Sequence, residues 1–395
     1  MVLLSSKVNE IKNKTMGFFS SPVSYLGVDF DSKSVKICEL KNENGRPKLV
    51  TYGYSDPLVE GDKEVNIEKT AELIKAVCKK AQVSSTKVIS SLPAFSVFSS
   101  IISLPQMNKK ELASAIRWEA KKVVPLPAEE MILDWQVLED ESLPESPALA
   151  ATLNVEPGKN SNDTQNFQER KHLKIKSESQ SQQQRILLTA VSQNLVQRHM
   201  QIFKHAGLQL ISLDTETFAL IRSLVGRDKS SIMLVDMGSL ATSITVVTGG
   251  IPYLTRSIDV GGLTITKAIA NSLNISLQRS EQFKYDIGLE TEGAQSQSVP
   301  ETVMSVLTPV LNEIKYTKNL YQNKNAKSHI EKIILTGGSS LLAGLPEYLS
   351  KELDMKAYIG DPWSRVIYPQ DLKPVLDEIG PRFSPAVGLA MRNIV

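Results

Sequence analysis

The sequence predicts an α/β protein built from two related halves that face each other across a ligand cleft. Three observations predict it. A chain of 395 residues is too long for one ordinary core, and 41% hydrophobic residues can fill more than one interior. The chain opens with strands, then a helix, then a strand, the order of an α/β sheet domain. That opening recurs: Gly27-Val28-Asp29-Phe30-Asp31-Ser32 compares with Leu234-Val235-Asp236-Met237-Gly238-Ser239. Each is an apolar strand ending in Asp, then a turn, then a second strand. Two related halves bury a cleft between them, and ligands favour such clefts.

In the first half a hairpin is expected over 25–40, a strand near 49–54, a helix over 67–81 and a strand over 87–92. Ala71, Ile74, Val77, Cys78 and Ala81 set the helical period. Residues 92–138 read as a smaller module, with strands at 97–104 and 131–138 around one helix. Asn108 can cap that helix, and Glu111 three residues on completes a capping box. Leu112, Ile116, Ala120 and Val123 share the face that meets the module's sheet, and Pro125 and Pro127 end the helix. Residues 139–184 are Ser-, Gln-, Asn-, Glu- and Pro-rich, so they are expected to be a disordered insertion or a partner-binding tail within the chain.

A strand at 185–191, a helix at 194–206, a strand at 209–213 and a helix at 215–225 lead to a hinge at 226–229. Three strands follow at 232–236, 242–247 and 253–258, then helices at 263–273 and 277–287. A long helix over 301–321 carries Val303, Val306, Leu307, Val310, Leu311 and Ile314 on one face, and Pro309 should kink or split it. A strand at 333–336 runs into Gly337-Gly338, and a last helix is expected at 385–393. The expected division is 23–91 with 185–226 and the closing helix 383–395 as one half, 92–138 as the inserted module, and 227–382 as the second half.

Composition excludes several classes. A net charge of +2 disfavours a generic nucleic-acid binder. Cys38 and Cys78 lack metal-ligand spacing, the four His are scattered, and small core thiols in a reducing compartment are expected. No stretch approaches the about 18 apolar residues of a membrane span. Segment 1–22 mixes Lys7, Lys12 and Lys14 with Val8, Ile11, Met16, Phe18 and Phe19, which suits a frayed tail or a weak membrane-surface contact. A cytoplasmic location is expected.

Tight turns rich in Gly, Ser and Thr aim several backbone N–H groups at one point and bind phosphate. A carboxylate beside phosphates needs a cation between them, and hydrated magnesium supplies one. Two such hairpins can therefore clamp a phosphate chain around Asp29 and Asp236. At Gly337-Gly338 the bare backbone can lie against a flat ligand, or simply form a strand-to-helix turn with positive φ.

Together the three elements resemble the two phosphate loops and the adenosine loop of the actin and heat-shock chaperone superfamily. Ala115-Ile116-Arg117-Trp118-Glu119-Ala120, Pro125-Leu126-Pro127, Asp134-Trp135-Gln136 and the closing Phe383-Ser384-Pro385-Ala386-Val387-Gly388-Leu389-Ala390 are similar to the PilM family of type IV pilus assembly, a relative of FtsA. The resemblance implies an actin-like ATPase fold with an FtsA/PilM-type inserted subdomain, binding ATP and magnesium. Asp29 and Asp236 would hold the metal through water. Ser32 and Ser34 would touch phosphate in the first loop, Gly238 and Thr242 in the second. Glu216 would orient a water, although near a helix start it is also favourable without chemistry. Glu281 and Lys284 would flank ribose and base, or form only a surface helix pair. Gly337, Gly338 and Ser339 would face adenosine.

Two positions depart from the family pattern: Asp31 stands where the first loop has Gly, and Leu240 stiffens a loop otherwise rich in Gly and Thr. Both argue for weak or absent hydrolysis, because phosphoryl transfer depends on positioning and charge. The implied function is a scaffold at the cytoplasmic face of the inner membrane. Its implied partners are the PilN cytoplasmic tail, held beside residues 92–138, and the pilus motor ATPases and platform proteins; self-association is also admitted. Trp118, turned away from the helix's apolar face, is the candidate partner contact or a cover for a neighbouring strand. An FtsA-like division protein is disfavoured because the chain stops at Val395 without an amphipathic extension. A small-molecule kinase would need a base, and Glu119 and Asp134 have no constellation around them.

Overall fold

The structure is a computed structural model that describes residues 23–31, 34–55, 66–125, 127–138, 183–289, 298–324 and 329–395. Segment 1–22, Ser32 and nearly all of 139–184 lie outside the described residues, and the expectations for them lie there too.

The chain opens with β1 (Ser24–Phe30), β2 (Val35–Glu43), β3 (Arg46–Tyr54), α1 (Ile67–Lys80) and β4 (Lys87–Leu92). The smaller module contributes β5 (Val97–Pro105), α2 (Lys109–Val123), β6 (Met131–Leu138) and β7 (Gln183–Ser192). Then come α3 (Gln193–His205), β8 (Gln209–Thr215) and α4 (Glu216–Leu220), the last continuing as a wider π-turn at Ile221–Val225. The second half holds β9 (Ile232–Met237), β10 (Thr242–Thr248), β11 (Ile251–Ile258), α5 (Gly262–Leu273), α6 (Leu277–Asp286) and α7 (Ser298–Lys324). It closes with β12 (Lys332–Thr336), α8 (Leu345–Leu353), β13 (Ala357–Ile359) and α9 (Lys373–Met391).

The halves repeat one topology. One sheet runs β3-β2-β1-β4-β8 and the other β11-β10-β9-β12-β13. In each, an antiparallel meander of three strands continues through two parallel strands. Central strands β1 and β9 are buried almost throughout, as strands covered on both faces must be.

The third sheet, β5-β7-β6, corrects the expected boundary at residue 185. β7 pairs with both β5 and β6, so it is the middle strand of the small module and not part of the first half. Its strand signal was legible; its partners were not, because 139–184 separates it from them in sequence. The α2 face meets this sheet as expected: Leu112, Ile116 and Ala120 are buried with Ile102, Ile186 and Leu188. Asn108 caps α2, and Glu111 returns the bond to close the capping box.

Of the two outcomes expected at Pro309 the split does not occur, and the expected start of the last helix is corrected. Pro309 does not split α7, which runs unbroken through it. Pro309 and Ser305, whose carbonyl it deprives of a donor, are both exposed, so water can serve that carbonyl. The final helix begins at Lys373, not at residue 385, and passes Pro381 and Pro385 internally. Pro385 leaves the Pro381 carbonyl without an intrahelical donor. That oxygen instead accepts from the Gly337 amide at 3.0 Å and the Thr336 hydroxyl at 3.0 Å. Helix α9 lies against β1 so closely that a Cβ at Gly27 would overlap the Ala386 carbonyl oxygen.

Candidate nucleotide cleft

Sheet register brings the two Asp-tipped hairpins to the same cleft. Asp29 sits opposite Lys36 in the first hairpin, and Asp236 opposite Ser243 in the second. Thr336 is the parallel neighbour of Asp236, so the Gly337 turn emerges directly beside it. Gly337 has φ +83°, and a Cβ there would lie 2.6 Å from Asp236 Oδ1. The left-handed turn and this close approach both require glycine.

A cavity of about 410 Å³ lies between the hairpins. Asp29, Ser34, Asp236 and Gly238 line its hairpin end. Glu281, Lys284, Gly337, Gly338 and Ser339 line the other wall, and Glu216 lies in the lining as well. Thr242 does not line it. Its side chain is buried and its hydroxyl donates to the Val260 carbonyl at 2.6 Å, so its expected phosphate contact is replaced by a bond that ties β10 to the start of α5.

The hairpin end is acidic. Asp29 Oδ1 accepts the Ser91 hydroxyl at 2.7 Å, and Lys36 Nζ approaches Oδ2 at 3.5 Å. Burial, reinforced by the Asp29 charge and opposed by Lys36, pushes the Asp236 carboxyl up to about 7. Burial, then Asp29 and Asp236, raise Glu216 well above the ordinary carboxylate range. Burial opposes protonation of Lys36, but Asp29, Asp31 and Glu216 together outweigh it and raise its pKa. These carboxylates gather more negative charge than the Lys36 ammonium beside them balances, and a divalent cation would add countercharge. Among the described residues no group of three or more His, Cys, Asp or Glu is arranged to hold a metal. Magnesium would therefore take most of its shell from water and phosphate, with Asp29 and Asp236 behind them, as magnesium prefers.

The opposite wall is a bonded network. Lys284 is nearly fully buried and bonds Glu281 Oε1 at 2.6 Å and Thr266 Oγ1 at 3.2 Å. Thr266 also bonds Glu281 Oε2. A buried ammonium facing a cavity is more than a surface helix pair. Burial lowers its pKa, against the pull of Glu281. Arg382 from α9 lies over the Tyr285 ring at 5.3 Å. The wall is mixed polar and aromatic, and the volume lies within the range of small-molecule sites.

Several lining residues were missed: Lys36, Thr266, Tyr285, Arg382 and Gly262, the second of the pair Gly261-Gly262. Only the glycine pair had a local signal, a strand running into two glycines before a helix. A Cβ at Gly261 would lie 2.6 Å from the Ser239 carbonyl oxygen, so the second hairpin loop rests on this glycine. Glu216 accepts the Ala94 amide at 2.8 Å, which ties the cleft to the entry of the small module. Beside that entry a groove of about 280 Å³ is lined by Ala94, Phe95, Phe98, Phe218 and Arg256, among others. Trp118 lies outside the cleft, on α2, 65% exposed, with Lys122 Nζ 3.7 Å from its ring centre.

No helix of the described residues is long and apolar enough to cross a membrane. The chain is 24% identical over 227 residues to the cell division protein FtsA of Neisseria meningitidis serogroup B (strain ATCC BAA-335 / MC58), covering 52% of this chain and 53% of that protein. It is 28% identical over 176 residues to FtsA of Agrobacterium fabrum (strain C58 / ATCC 33970), covering 39% and 38%. The matched regions thus span about half or less of these curated relatives. Among solved structures, a PilM–PilN type IV pilus biogenesis complex superposes with TM-score 0.74 at 24% identity, covering 95% of this chain and 100% of that one. The ethanolamine utilization protein EutJ from Carboxydothermus hydrogenoformans superposes with TM-score 0.50 at 14% identity, covering 94% and 90%. The fold is actin-like. The family model described as type IV pilus assembly protein PilM matches residues 27–156 and 170–394. The chain belongs to the PilM family of type IV pilus assembly proteins.

Proposed function

We propose that the protein is a nucleotide-binding scaffold of the type IV pilus platform, holding ATP and magnesium between its hairpins and a PilN-type cytoplasmic tail beside its small module. One observation carries the nucleotide reading: Asp29, Asp236, Lys284 and the Gly337 turn, distant in sequence, line one cavity. Bound magnesium would add countercharge at the acidic end, and the phosphates of ATP would share the cation with water. Asp29 and Asp236 would order the cation's water shell, Ser34 and Gly238 would border the phosphates, and Lys284, Gly338 and Ser339 would border the nucleoside. Glu216, held by Ala94 and protonated more readily than an ordinary carboxyl, suits water positioning better than proton abstraction. The site is a clamp more than a hydrolytic centre.

The partner reading is supported by the likeness to a PilM–PilN complex, by the exposed Trp118, and by the aromatic groove next to Ala94. PilN would recruit the protein to the cytoplasmic face of the inner membrane, near the pilus motor ATPases. Calorimetry tests the nucleotide site. Wild type should bind ATP with magnesium, and Asp236→Ala should bind at least tenfold more weakly. Equal affinity for both proteins sinks the proposed site. A pull-down in which a PilN tail peptide binds Trp118→Ala as well as wild type removes Trp118 from the partner surface.

A further inference from the structure

Asp31 and Ser239 stand on opposite hairpins, 208 positions apart in the chain, and the Ser239 hydroxyl donates to Asp31 Oδ2 at 3.0 Å. Both ends of this bond are anchored. The Asp31 amide donates to the Ser34 carbonyl at 3.0 Å, and Asp31 Oδ1 accepts the Ser34 amide at 2.7 Å. The turn thus fixes its own carboxylate. On the other side, the Ser239 carbonyl accepts the Leu263 amide and the Gly238 carbonyl accepts the Gly262 amide, both at 2.9 Å. These bonds seat the second loop on the start of α5. A hydrogen bond between two anchored ends sets the distance between them.

Both residues line the cavity at its acidic end, beside Asp29 and Asp236. They also occupy the two loops in which the sequence departs from the expected phosphate-binding pattern. Asp31, one of those departures, meets across the cleft the serine that precedes the other, Leu240. A carboxylate is a strong acceptor for a hydroxyl, and so is a phosphate oxygen. The two anions repel, and one hydroxyl proton cannot serve both.

We propose that Asp31 and Ser239 form a latch across the phosphate end of the cleft, which an incoming nucleotide opens by taking the Ser239 hydroxyl from Asp31. The inference rests on the nucleotide reading above. Without ligand, the latch holds the two halves together. With ligand, phosphate and cation take over the bridge. No covalent bond changes; one hydrogen bond is exchanged for another. Asp31 therefore sets the affinity of the site and couples its occupancy to the separation of the halves.

Two measurements on the full chain test this. The first needs no nucleotide. Spin labels at Glu72→Cys on α1 and Asn271→Cys on α5, both exposed, in a Cys78→Ser background report the distance between the halves. The expected result is a single narrow distance for the latched protein and a broadened or longer distribution on adding Ser239→Ala. An unchanged distribution overturns the latch. The second is calorimetry with magnesium-ATP on Asp31→Asn, which keeps an acceptor for the Ser34 amide but loses the charge. Affinity should rise about tenfold; equal or weaker binding overturns the exchange. Absence of binding by the wild type, with a distribution that still broadens in Ser239→Ala, overturns the exchange together with the nucleotide reading and supports the tether alone.

Discussion

The Gly337 amide donates to the Pro381 carbonyl at 3.0 Å, and it can do so because Pro385 has no N–H to claim that oxygen. A proline in the last helix thus holds the glycine turn that borders the cleft. Pro385→Ala restores an N–H one turn below Pro381 and draws the carbonyl back into the helix. Magnesium-ATP affinity should fall severalfold in calorimetry while the circular dichroism of the helices is retained. Undiminished affinity would show that the Gly337 turn holds itself.

Lys284→Met keeps the length of the side chain and removes its charge. Glu281, 41% exposed, stays solvated, so the loss should fall on ligand more than on folding. Nucleotide binding should weaken by about tenfold, the scale of one charge-assisted hydrogen bond. Fluorescent-nucleotide titration beside a thermal melt separates the two effects.

Glu216→Ala leaves the buried Ala94 amide without its acceptor, which costs roughly 1–3 kcal/mol. It also relieves repulsion with Asp29 and Asp236, so global stability is a poor readout. Hydrogen exchange is a direct one. The Ala94 amide should exchange faster in the variant, while the amides of β1 should not change.

His199 is buried against the Phe30 ring, with Nδ1 2.9 Å from the Leu195 carbonyl. Burial lowers its pKa, despite the backbone hydrogen bonds that favour the proton. A base whose folded pKa lies below its unfolded value, near 6.5, leaves the unfolded chain with more bound protons in that window. This contribution is therefore full above about pH 6.5 and shrinks as pH falls toward the folded pKa. Urea unfolding should show stability declining below about pH 6.5, and His199→Gln should flatten that slope. An identical slope in the variant would assign the decline to other groups.

Trp118→Ala should leave stability within about 0.5 kcal/mol of wild type, as surface substitutions do. Gly27→Val should destabilise by several kcal/mol, on the order of an overpacked core, because its Cβ would overlap the Ala386 carbonyl. Paired thermal melts check both, and the contrast matters more than either value.

The sequence by itself determined what is local. Hydrophobic period placed β4, β6, β9 and α1 within a residue or two of their observed bounds. The Asn108–Glu111 box marked a helix start, and the repeated strand–Asp–turn marked two hairpins of one cleft. Each signal lies within a dozen residues, because periodicity and capping are set by neighbours along the chain. Tertiary structure decided what depends on distant partners. It gave β7 to the small sheet, committed the Thr242 hydroxyl to Val260, and brought Lys36, Tyr285 and Arg382 to the cleft wall. It let Pro385 sit inside a helix by supplying donors from Thr336 and Gly337 to the Pro381 carbonyl. It also joined Asp31, a departure visible in the sequence, to Ser239, which the sequence did not mark, in one bond. No spacing along the chain encodes such a meeting; it follows from how two buried sheets set their hairpins face to face.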